Sequence, residues 1–169
     1  MSISDTLLAE LLHEQPSTRK HLERVPAGQA DWKPHPKSMS LSRLSSHVAE
    51  IPTWAGSTVR GTELDLAPPE AKPAAPKARG SAAELVQAFD ANMADAFAAV
   101  RSASDAHWMM PWSLKYGGKV VFTLPRIVVM RNFVLNHLVH HRAQLGLYLR
   151  MLGVAVPTAY GPTADESPV

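Results

Sequence analysis

Eight histidines and no cysteine stand in this chain of 169 residues. Any transition metal must therefore be held by imidazole, carboxylate and water, and thiolate nucleophiles, disulfides and iron–sulfur clusters are excluded. In Asn136-His-Leu-Val-His-His-Arg-Ala-Gln144, His137 and His141 are four residues apart. On a helix that leaves them about 40° apart, one turn from each other, which is chelating geometry. Val134, Leu145 and Leu152 centre the apolar stripe near His141, with His137 at its inner margin, while His140 projects about 100° away from His141. His47 lies on a separate segment among Leu41, Leu44, Val48 and Ile51, so three inward imidazoles could converge.

Three buried imidazoles without partners would cost about 1–3 kcal/mol each, and a divalent ion removes that cost by accepting their lone pairs. Three protein ligands and one open position are the pattern of catalytic zinc, whereas structural zinc usually takes four. The plainer reading is a chance spacing of hydrogen-bonded core histidines; the inward facing of His47 on a different helix favours metal. Glu50, one turn beyond His47, could orient a ligand or act as a base, or be merely ion-paired. Gln144 could donate to a substrate, and Arg142 suits a structural tie. Neither reaches beyond a weak candidate. Trp32, Trp54, Trp108 and Trp112 could line a pocket but fit packing plugs better. His13, His21, His35 and His107 lack a partner at ligand spacing and read as surface or loop residues. No nucleophile-elbow signature supports a Ser/His/Asp site.

The elements that must carry these residues are helices. Asp5 reads as a cap for a helix over about 4–25, which Pro16 should kink or split. Pro26 to Lys37, with three prolines and Gly28, is a loop holding one aromatic plug at Trp32. Ser40 caps a helix over about 40–60 that Pro52 should bend after His47. Residues 61–80, with Pro68, Pro69, Pro73 and Pro76 among alanines and lysines, have the composition of a crossover. Ser81-Ala-Ala-Glu84 is a capping box opening a helix over about 81–102. Trp108 to Phe122, with Gly117-Gly118 at its middle, breaks the period as a short hairpin or irregular excursion. The longest helix follows over about 124–152, and 153–169 is an extended tail. The whole is expected to be one all-α domain, a four-helix bundle burying four apolar stripes at once.

With 46% apolar and 19% charged residues and a formal charge of +2, the chain has no basic stripe, so nucleic acid is not an expected partner. It has no run of about 18 apolar residues and no signal-like N-terminus, so a cytoplasmic protein without membrane contact is expected.

Four segments together resemble the DinB-like family, a damage-inducible group of metalloenzymes that includes thiol-dependent transferases. They are Trp32-Lys-Pro-His-Pro-Lys-Ser-Met-Ser40, Leu44-Ser-Ser-His-Val-Ala-Glu-Ile-Pro52, Asn136 to Gln144, and Val156-Pro-Thr-Ala-Tyr-Gly-Pro-Thr-Ala-Asp-Glu166. The resemblance implies an up-down-down-up bundle, for which the long segment between the second and third helices suits the crossover, and a homodimer. It also implies a divalent ion, zinc or nickel foremost with iron, copper and manganese compatible, on His47, His137 and His141. His140 matches the family's doubled histidine, but its facing argues against direct ligation. The expected function is a metal-dependent transferase or hydrolase acting on a small molecule. In it a water or a low-molecular-weight thiol is acidified at the open position. With no cysteine, the thiol must come from a cosubstrate. The alternative is a non-catalytic metal-binding bundle serving dimerisation or a partner.

Overall fold

The computed structural model describes residues 1–69 and 79–167; the remainder of the expected crossover and tail lies outside the described residues. Helix α1 spans Ile3–Glu23 and begins with a capping box in which Ser2 is the cap and Asp5 the third helical residue. It runs through Pro16 without breaking. Pro16 and Leu12, whose carbonyl loses its amide partner, both face solvent, so water satisfies that carbonyl in place of the backbone.

The segment expected as one helix over 40–60 is two. Helix α2, Leu41–Glu50, is capped by Ser40, and α3, Thr53–Arg60, restarts after Ile51 and Pro52. Strand β1 follows at Glu63–Asp65. Helix α4, Ala82–Ser102, opens on the Ser81/Glu84 capping box, and α5 is a single turn at Asp105–Trp108. Strands β2, Pro111–Tyr116, and β3, Lys119–Pro125, precede a short α6 at Arg126–Val129. A π-helical segment, Met130–Asn136, then leads into α7, His137–Met151.

The all-α, up-down-down-up four-helix bundle expected above is corrected by a three-stranded mixed sheet of order β1-β2-β3. β2 and β3 pair antiparallel, with Trp112 opposite Leu124, and β1 joins β2 in parallel with Leu64 beside Leu114. Two strands alone would be marginal in water, and three contacts recruit β1. The Asp65 carboxylate accepts from the Gly117 and Gly118 amides at 3.0 and 2.7 Å, and Lys115 donates to Glu63 at 2.7 Å. Both turn glycines have positive φ, +59° and +77°, as a two-residue hairpin turn of this hand requires. Trp112, Leu114 and Val129 form the sheet's own apolar cluster, joined by Phe122 and Phe133.

The main core lies where α1, α2, α4 and α7 meet, around Leu11, Leu44, Val48, Phe89, Met93, Leu138 and Leu145, all essentially without solvent contact. Each such side chain contributes about 1.5–3 kcal/mol by leaving water. Beside it, the buried Arg142 guanidinium donates to Glu14 and Thr18 of α1. Tyr160 of the tail also donates to Glu14, at 2.7 Å, so α7, α1 and the tail share one polar tie. Among the described residues no helix is long and apolar enough to cross a membrane.

Candidate metal centre

α2 packs against α7 inside this frame, and the contact brings His47 to His137 and His141. One nitrogen from each of the three rings lies within 4.8 Å of the others. His47 Nε2 and His137 Nε2 are 3.2 Å apart. Two nitrogens at about 2.1 Å from one tetrahedral ion would be separated by about 3.4 Å, so this pair is already spaced as co-ligands. The ring of His141 sits 4.7 Å from that of His47 and 4.6 Å from that of His137, centre to centre.

The electrostatics match a ligand set. Burial, reinforced by the neighbouring imidazoles, pushes His47 down to about 3 and His137 down to about 4, and burial lowers His141 as well. All three are neutral at pH 7, so their lone pairs are available. His141 Nδ1 donates to Gln144 Oε1 at 2.8 Å, which fixes its tautomer and leaves Nε2 as the basic nitrogen. Metal-binding histidines are commonly oriented in this way through their second nitrogen.

The π-helical segment ends immediately before His137. Single widened turns of this kind recur at functional sites because they change which side chains share a face. Here the widened turn carries Phe133 to the site: its ring is 6.4 Å from that of His137, 6.1 Å from that of Trp54 and 4.9 Å from that of Phe122 of the sheet. Trp54 of α3 lies 5.0 Å from His137 and 5.9 Å from His47. Trp54 of α3 and Phe133 of the π-helical segment thus form an aromatic wall on one side of the histidines, with Phe122 of the sheet packed on Phe133.

The other candidates are placed elsewhere. Glu50 is ion-paired with Arg79 at 3.1 Å and faces Arg43 at 3.6 Å. His140 is exposed, in keeping with its expected facing. Trp108 and Trp112 are buried plugs, Trp32 packs edge-on against Tyr148, and Arg142 is the tie to α1. His35 is exposed and His13 stacks on Tyr160. His21, read from spacing as a surface residue, is buried, with Nδ1 2.8 Å from the Ser17 carbonyl. His107 is half-buried and bonds the Val59 carbonyl. Sequence reasoning passed over Arg43. Its signal was an arginine one helical turn before His47.

A family model described as the DinB superfamily matches residues 10–145. A DinB-like protein from Bacillus cereus ATCC 10987 has a similar fold, with a TM-score of 0.67 at 17% identity over 92% of this chain and 97% of that one. A DinB-like protein from Bacillus subtilis aligns with the same TM-score at 15% identity, over 91% of this chain and 97% of that one. No curated protein matches the chain.

Proposed function

The chain belongs to the DinB superfamily, and we propose that it is a divalent-metal-dependent enzyme acting on a small molecule, with His47, His137 and His141 as ligands. The observation that carries this reading is three neutral imidazoles whose nitrogens lie within 4.8 Å, one of them already oriented by Gln144 through its far nitrogen. Without an ion, His47 and His137 can share only one proton between two facing nitrogens, and the remaining lone pairs stay unanswered in a half-buried site. Zinc or nickel fits the all-imidazole donor set.

His47, His137 and His141 would hold the divalent ion, which when bound would acidify a water or thiol and polarise a carbonyl. The chain's own residues do the rest. Gln144 holds the His141 ring, and Trp54 and Phe133 flank that of His137. A hydrolase and a transferase using a small thiol both fit this arrangement, and the absence of cysteine assigns any thiol to a cosubstrate.

The test is the metal content of tag-free protein purified without chelator, read by elemental mass spectrometry beside folded His141→Ala. About one ion per chain in the parent and little in the variant are expected. No ion in either after reconstitution would overturn the reading. A loaded protein that turns over no member of a thiol, electrophile, ester and amide panel, yet melts higher with metal, would instead favour a purely structural ion.

A further inference from the structure

Arg43 stands one helical turn before His47 on α2, so the two side chains share a face. Its Nη1 is buried and, among the described residues, has no hydrogen-bond partner. The same Nη1 is ion-paired with Glu50 at 3.6 Å, beyond hydrogen-bond reach, and the other oxygen of that carboxylate receives Arg79 at 3.1 Å. A guanidinium has five N–H donors in a planar fork, and leaving one buried and unanswered is costly.

Glu50 offsets the Arg43 charge but leaves this N–H unmet among the described residues, so a bound anion would satisfy it. The planar fork matches a carboxylate in particular. Trp54 and Phe133, the aromatic side chains beside His137, carry no charge.

We propose that Arg43 is the substrate-anchoring residue of this site, and that the substrate is a small organic carboxylate whose anionic group binds the Arg43 guanidinium while its apolar part faces Trp54 and Phe133. Glu50 then acts as a positioning residue that holds the guanidinium from behind. The proposal rests on the reading of the three histidines as the functional site, but not on an ion being present in it.

The experiment titrates acetate, phosphate and the neutral acetamide at constant ionic strength into metal-free and zinc-loaded protein. The readout is the NMR signals of the Arg43 Nε–H and of the His47 and His141 rings. Acetate is expected to shift all three groups in both forms, with phosphate weaker and acetamide without effect. Arg43→Gln should weaken acetate binding at least about tenfold, Arg43→Lys should retain part of it, and zinc affinity should stay equal or rise in Arg43→Gln. Equal acetate affinity in Arg43→Gln, stronger binding of phosphate than acetate, or no acetate response in the parent in either form overturns the proposal. So does loss of zinc in folded Arg43→Gln, which would make the arginine a mere support for His47. Failure of zinc to bind the parent would refute the metal reading alone, because the metal-free titration still decides the role of Arg43.

Discussion

Proton competition offers a quantitative test of the three-histidine site. An ordinary imidazole takes up its proton near 6.5, so between about pH 7 and about pH 5.5 the neutral fraction of each ligand would fall about eightfold, and a set of three would lose several hundredfold in metal affinity. In this protein burial holds His47 down to about 3 and His137 down to about 4. Both remain neutral across the interval and add almost nothing to the loss. Only His141 is left to titrate, and its own lowering by burial means that the total loss should not exceed about eightfold. Zinc affinity measured at the two pH values, in competition with a chromophoric chelator of known protonation constants, reads this directly. A fall of several hundredfold would refute the reasoning, because it would mean that the rings are solvated in the metal-free protein and are not held neutral beside one another.

The same histidines should make the metal-free fold acid-sensitive. They bind protons more tightly when unfolded than when folded, so stability is full above about pH 6.5. It should fall with further acidification to about pH 4, by up to about 1 kcal/mol per pH unit for each of His47 and His137 after allowance for partial exposure. Urea unfolding at pH 7 and 5 checks this, and equal midpoints would contradict it. Gln144→Ala removes the acceptor that fixes the His141 tautomer. It should weaken zinc binding by about tenfold, the low end for such partners because Gln144 is exposed; calorimetric titration against the parent decides. Arg142→Met leaves the buried Glu14 carboxylate without its cation and should cost about 3–5 kcal/mol in chemical denaturation, whereas a loss under about 1 kcal/mol would show that Tyr160 alone satisfies Glu14.

How far such a site can be read before the fold is known depends on how local its determinants are. The approach of His137 to His141 follows from helical pitch alone, and the Ser81/Glu84 capping box is set by four consecutive residues. Both are visible in the string of letters. The facing of His47 is nearly as local, because leucine and valine neighbours mark the inner side of α2. Strand β1 is different: Glu63-Leu64-Asp65 has no period to detect, and its pairing depends on Asp65 meeting two amides some fifty residues further on. An all-helical expectation fails there for a physical reason, since the contacts that hold the strand are entirely non-local. His21 is similar, for it is buried beside Gly146 of α7, where a Cβ would stand 3.3 Å from the ring nitrogen.

The π-helical turn belongs to the same class. No residue type in Met130–Asn136 marks its wider turn in the sequence. Yet that turn sets Phe133 against both Trp54 and His137. The metal-binding potential of the chain is therefore a local property of α2 and α7, while the shape of its aromatic flank is a property of the assembled fold. A relative that kept the three histidines but lost the β1–hairpin contact at Asp65 should still bind the ion. It should differ in what lies against the aromatic wall, and so in the apolar part of the molecule that it accepts.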